Sequence, residues 1–270
     1  MRYLRTAWGF LVRDFLMAVS YRTAFTLDIV WIAVVVPVLF SMANIFAGSS
    51  APALAQYGGN YFPFLLIGVA FQDYVAFSQS NFNHSIREHQ LMGTLEIVML
   101  SPTPVPIVLL CSSLWGYLYT SIRFWAYVMI GTLFGLQLEN LNLLSLIIIT
   151  ALSVLSFSAL GILTASLVIL IKRGAESVTQ ILTVLTVALS GVLYPVSTLP
   201  AWLQSIAQVL PFTHALDGMR KALLSGATPA DLSTQIATLM LFAVILFPIG
   251  LYAFSLAVWR SKITGTLGQY

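Results

Sequence analysis

Six long stretches of this chain run with almost no charge: residues 24–46, 61–83, 105–136, 142–171, 176–194 and 232–258. About 20 consecutive apolar residues carry an α-helix across the hydrocarbon core of a bilayer. The runs therefore set the class of structure before any motif does. A β-barrel would need period-two alternation in segments of about ten residues. Stretches such as IVWIAVVVPVLF and LLSLIIITALSVLSFSALGILTASLVILI are apolar on every face instead. Composition agrees, with 59% of 270 residues hydrophobic and 8% charged, against about a quarter charged in a soluble domain. The expected fold is an all-α integral membrane protein with six transmembrane helices, a single domain over residues 1–270.

An even number of spans returns both ends to one side. Arg2, Arg5, Arg13, Arg22, Arg87, Lys172, Arg173, Arg260 and Lys262 then share that side, and only Arg220 and Lys221 fall on the other. Short loops rich in Lys and Arg stay cytoplasmic, which places both termini in the cytoplasm and the protein in the plasma (inner) membrane. Arg13, Asp14 and Arg22 interrupt any early apolar core, so a cleaved signal peptide is not expected. The single Cys111 excludes an internal disulfide framework. Net charge is only +3 and the basic residues stand singly or in pairs, so no nucleic-acid partner is expected. Ser158, Gly161 and Ala165 on the fourth span would let a neighbouring helix approach closely.

Two stretches are amphipathic rather than apolar. In residues 1–22, Leu4, Trp8, Leu11, Phe15 and Val19 share one helical stripe, with Arg2, Arg5, Thr6, Gly9 and Arg13 opposite. A basic helix with such a face lies in the membrane interface. Between the second and third runs, Leu91, Met92, Leu95, Val98 and Met99 fall on one side of a second helix, over residues 86–100. His89, Gln90, Gly93, Thr94 and Glu96 fall on the other side, and the prolines of SPTPVP turn the chain back. The expectation is a short cytoplasmic helix with one face on the bundle and one face open.

The run REHQLMGTLEIVMLSPTP resembles the signature of the permease subunit of type-2 ATP-binding cassette transporters: an acidic residue, then GTLE, then an apolar turn ending in a Ser/Thr-Pro pair. These positions are Glu88, then Gly93, Thr94, Leu95 and Glu96, then Leu100, Ser101 and Pro102. The layout of the whole chain is similar too. The resemblance implies that residues 86–100 are a coupling helix docking on a cytoplasmic nucleotide-binding subunit, with Glu88, Gly93, Thr94 and Glu96 facing it. It further implies two ATPase copies carrying the ATP and magnesium, and a second permease chain, completing a homodimer or, with a different permease chain, a heterodimer. This chain has no GxxxxGK[ST] phosphate loop, so it cannot cradle a nucleotide by that route. No cofactor of its own is expected. The substrate class implied is an amphipathic or lipid-linked compound (a glycolipid or polysaccharide, a lipid or a drug) moving outward.

Residues 195–231 lie on the far side and are too apolar for a solvated loop. The stretch PVSTLPAWLQSIAQVLP reads as a short helix with Thr198 as N-cap and Pro211 as its stop, and FTHALDGMRKALLSG as a second helix closing at Gly226. Neither can span, so both are expected to re-enter the outer leaflet, forming an external gate with Leu203, His214 and Asp217. Asp217 could pair with His214 or Lys221 at helical spacing. One His and one Asp do not make a metal site, and none is expected.

Asp73 and Arg123 sit inside the second and third runs, roughly 18 to 20 Å below the outer boundary at 1.5 Å per residue. Charge at that depth faces protein or water. Either the two residues form a structural ion pair or they line a polar route. Aromatics crowd the same runs, and Phe71, Tyr74, Trp115 and Tyr119 are candidate pathway residues. An ion-coupled transporter using Asp73 is a competing reading. A membrane enzyme built on His84, Glu88 and His89 is a third, weakened because His84 and His89 are five residues apart and diverge on a helix.

Overall fold

The computed structural model describes residues 2–20, 22–46, 54, 57, 59–91, 105–138, 140–171 and 175–263. Nine α-helices are present among them: α1 (Arg2–Ser20), α2 (Arg22–Phe46), α3 (Tyr61–Leu91), α4 (Val105–Thr132), α5 (Leu143–Ile171), α6 (Ala175–Leu189), α7 (Ala201–Val209), α8 (Pro211–Leu224) and α9 (Ser233–Ile263). Each of the six apolar runs falls on one of them. Four are long and apolar enough to cross a membrane, over Phe25–Ile45, Tyr61–Asn83, Leu143–Leu167 and Ser233–Arg260. The all-helical membrane class expected from the sequence is thus present, with four candidate spans.

Helices α3 and α5 form the centre, with 67% and 50% of the most apolar part of each span buried, whereas α2 and α9 are peripheral at 17% and 22%. The peripheral helices turn Leu27, Trp31, Met240, Leu241 and Tyr252 outward. Exposed apolar surface on that scale needs a non-aqueous partner, and a lipid belt supplies it. Helix α9 lies along α5, α4 along α3, α2 against α3 and α4, and α1 against α4. Close packing of α3 on α5 depends on small residues. A Cβ at Gly161 would fall 2.2 Å from the Ser78 carbonyl oxygen, and Ser158 and Ala165 beside it are buried.

Two expectations change here. The run 176–194 does not extend its helix to residue 194: α6 stops at Leu189 after 15 residues, and Gly191 takes φ +76° just beyond. At about 1.5 Å per residue that is some 22 Å of helix, and residues 190–194 complete the run as a turn. A polar ladder holds α6 to α3. Thr183 donates to Gln79 Oε1 at 2.7 Å, Gln79 donates to Thr186 at 3.1 Å, and Asn83 donates to Thr179 at 3.0 Å. The second change concerns Thr198. It lies in a 3-10 turn and its hydroxyl donates back to the Pro195 carbonyl at 2.7 Å, while Pro200, which has no side-chain donor or acceptor, occupies the N-cap of α7. With Pro200 fixing the entry angle, the turn closes on itself instead of capping the helix.

Helices α7 and α8 close one end of the bundle. Helix α8 packs on α5, α9 and α3, with Phe212 tilted at 37° against Phe157 of α5 at 4.3 Å between ring centroids. Residues 86–91 continue α3 without a break. The rest of the 86–100 segment lies outside the described residues.

Candidate functional site

Among the described residues, charged groups gather in two places inside the protein, one in the bundle and one under the cap. In the bundle, Asp73 of α3 and Arg123 of α4 meet at 3.0 Å. A third charge joins them. Asp28 of α2 lies 3.7 Å from the other guanidinium nitrogen of Arg123, and its second oxygen accepts the Tyr119 hydroxyl at 2.5 Å. Arg123 is therefore shared by two carboxylates, each between a quarter and a third exposed. The contacts are electrostatic more than directional, since Asp73 Oδ2 and Arg123 Nε are buried without an aligned hydrogen-bond partner. Asp28 escaped the reading of intramembrane charges, although it is the only charged residue in the run 24–46.

The four candidate aromatics separate into two pairs. Phe71 and Tyr74 are 0% and 2% exposed and belong to the central core. Phe71 packs on Phe157, and the Tyr74 hydroxyl donates to Ser121 at 2.8 Å. Neither lines the groove in which the other two lie. Trp115 and Tyr119 instead line a groove of about 610 Å³ between α1, α2 and α4. They stack at 6.4 Å with a 28° interplanar angle, and Phe15 of α1 meets Trp115 edge-on at 5.3 Å. Spacing explains the wall: positions 115, 119 and 122 fall on one face of α4.

Under the cap, Asp217 is the hub. Its carboxylate accepts the Tyr57 hydroxyl at 2.7 Å, the Lys221 ammonium at 2.9 Å and the Gln235 amide at 2.7 Å. His214 points elsewhere and bonds the Gln208 carbonyl at 2.8 Å. Leu203 sits half-buried on α7. Beside the hub, Arg220 is 3% exposed and donates to the carbonyls of Phe64, Gly191 and Val192 at 2.8 to 3.2 Å. Its guanidinium also lies 3.4 Å above the Phe64 ring centroid. Burial pulls the Arg220 pKa down from its ordinary value, and the neighbouring Tyr57 and Asp217 oppose that shift. Burial likewise pushes the Tyr57 phenol up, reinforced by the Asp217 carboxylate it donates to. Arg220 was read from the sequence only as a far-side charge. Nothing in a local pattern distinguishes an arginine that reaches three distant carbonyls from one that reaches water.

Of the coupling residues, Glu88 lies near the end of α3 with its side chain outside the description, and Gly93, Thr94 and Glu96 lie outside the described residues.

Among curated proteins no relative matches this chain. Residues 74–252 match the family described as ABC-2 family transporter protein. The match covers about two thirds of the chain and runs from within α3 to within α9, taking in both polar centres apart from Asp28, Tyr57, Phe64 and Asp73. Members of that family are membrane transport subunits and not themselves ATPases, which accords with the apolar helices and with the missing phosphate loop. The chain belongs to the ABC-2 transporter family and is an integral membrane permease subunit, of the family whose permeases partner with an ATP-binding subunit.

Proposed function

We propose that the chain is the six-span permease subunit of an ATP-driven exporter, forming a homodimer that engages two cytoplasmic ATPase copies, with ATP and magnesium held by those partners. The observation that carries this reading is the length of α3. Its apolar span ends at Asn83, yet the helix continues to Leu91. Those eight further residues make about 12 Å of rigid rod, and they lead directly into GTLE at 93–96. A helix that outruns the bilayer converts displacement at its tip into tilt of a central span. Because α3 packs on α4, α5, α6 and α8, that tilt would reach both polar centres.

The basic side is the side of the α3 tip, so the positive-inside rule supports cytoplasmic termini and an inner, plasma-membrane location. Helix α1 would lie in the interface there, its Trp8, Leu16 and Met17 exposed to lipid. At the other face α7 and α8 would re-enter the outer leaflet and gate the exit through Leu203, His214 and Asp217. Trp202, Ile206 and Val209 on α7 are exposed, as lipid or a second permease chain would require. The substrate in this reading is amphipathic or lipid-linked.

Gly93→Trp adds bulk where a partner backbone must approach, and Glu96→Arg reverses a charge at the same joint. Co-purified with the ATPase subunit, each variant should lose substrate-stimulated hydrolysis and transport by about tenfold or more, because charge reversal at a desolvated joint costs several kcal/mol. The melting temperature of the permease should stay at the wild-type value. Wild-type coupling in both variants would overturn the assignment of residues 86–100 as the coupling helix.

A further inference from the structure

We propose that the groove between α1, α2 and α4 is a binding site for an amphipathic cation, with Asp28 as its counter-ion. Its volume of about 610 Å³ falls within the ~300–1,000 Å³ typical of small-molecule sites, which are mostly apolar with a few placed polar groups. This groove has that character. Trp115 and Tyr119 stack along one wall, Phe15 closes on Trp115 and Phe25 on Tyr119. Aromatic faces attract cations as well as apolar bodies.

Charge decides the sign of the ligand. Asp28, Asp73 and Arg123 form one cluster with two carboxylates and a single guanidinium. Arg123 stands nearer Asp73, at 3.0 Å against 3.7 Å, so the surplus negative charge resides mainly on Asp28. That carboxylate is also the one that borders the groove. The Tyr119 hydroxyl gives it a hydrogen bond but no positive charge. An excess charge in apolar surroundings is costly, and a cation brought in by an apolar body relieves it. Arg22 borders the groove too. It precedes Asp28 by six residues, about 9 Å along α2, and so stands at the start of the helix, away from the cluster. A bound cation would place its charge at Asp28 and its apolar body against Phe15, Phe25 and Trp115. An anionic lipid headgroup would choose Arg22 instead. The site belongs to this chain alone and does not rest on how the ATPase couples.

The test uses the purified full chain in phosphatidylcholine nanodiscs, with tetraphenylphosphonium as probe and tetraphenylborate as an anion of the same shape. Saturable phosphonium binding is expected in the wild type. Asp28→Asn should weaken it by about tenfold or more, the loss of a desolvated charge contact. Asp14→Asn, which removes a carboxylate paired with Arg13 outside the groove, should leave it unchanged. Ile122→Trp, which fills the groove without altering charge, should abolish it. Melting temperatures establish that each variant is folded, and Ile122→Trp decides the matter if Asp28→Asn is not. Equal phosphonium binding in wild type and Asp28→Asn, or undiminished binding in Ile122→Trp, would overturn the proposal. Preferential tetraphenylborate binding that is lost in Arg22→Gln would also overturn it and assign an anion site.

Discussion

Arg220 under the cap and Arg123 in the bundle are held in opposite ways. Arg220 is enclosed and bonds three backbone carbonyls from two separate segments, at 64 and at 191–192. Arg123 is a quarter exposed and is held by charge, between carboxylates from α2 and α3. Carbonyl dipoles satisfy a guanidinium only along defined directions, so the first arrangement fixes the chain around it. Coulomb attraction tolerates displacement, so the second can rearrange. The joint that Arg220 makes with residues 64 and 191–192 is built to stay as it is, and the charge cluster in the bundle can rearrange.

The largest effect should come from the cap. Arg220→Met removes four hydrogen bonds and leaves three carbonyls without their donor; we expect a loss of about 4 kcal/mol, the scale for breaking a buried charged network, measured by thermal unfolding in detergent. Lysine at the same position should restore only part, because an ammonium cannot fork to three carbonyls. Gly68→Ala attacks the same lock without touching charge. Its Cβ would fall 2.2 Å from the Val192 carbonyl oxygen and 2.6 Å from Arg220 Nη2, and overpacking of that kind costs about 2 kcal/mol. Near-native melting in both Arg220→Met and Gly68→Ala would erase the distinction between the two arginines.

An intermediate effect is expected at Arg123. Arg123→Ala strands two carboxylates, and partial exposure of the cluster reduces the cost to about 2 kcal/mol. Adding Asp73→Asn should recover part of that, and adding Asp28→Asn as well should recover most of the remainder, since contacting residues are not additive. Equal losses in the single, double and triple variants would mean that the three charges do not form a unit. The smallest effect is assigned to Asp217→Asn, which keeps an acceptor for Tyr57 and removes the charge facing Lys221, at about 1 kcal/mol. A cysteine at Leu203, with Cys111 replaced by serine, should then react faster with a membrane-impermeant thiol reagent than in the Asp217 parent. Unchanged labelling would separate the hub from the motion of α7.

Much of the fold was legible because span formation is local. An apolar run of sufficient length must satisfy its own backbone hydrogen bonds in lipid, and only a helix does so within one segment; each of the six runs lies on a helix accordingly. Failures came where local and distant demands compete. Run 176–194 remains apolar past Leu189, but the carbonyls of Gly191 and Val192 are taken by Arg220 and the helix ends before them. Thr198 has the chemistry of an N-cap, yet its hydroxyl is committed to Pro195. Asp73 and Arg123 were brought together by depth alone. Depth could not supply Asp28, which lies near the start of α2 and reaches the pair only because α2 packs across both α3 and α4.

By itself, the sequence determined the membrane class, the positions of the long helices, the absence of a phosphate loop and the resemblance to ABC-2 permeases. All four follow from run length, composition or short contiguous motifs, which are properties of neighbouring residues. Tertiary structure alone decided which of the charges share Arg123, which aromatics are core and which face the groove, and that Arg220 ties the start of α3 to the turn after α6. Those outcomes depend on side chains from segments tens to more than a hundred residues apart meeting within about 3 Å, the range at which a hydrogen bond or ion pair forms. No local pattern encodes a meeting at that range, and the packing of one helix against another fixes it.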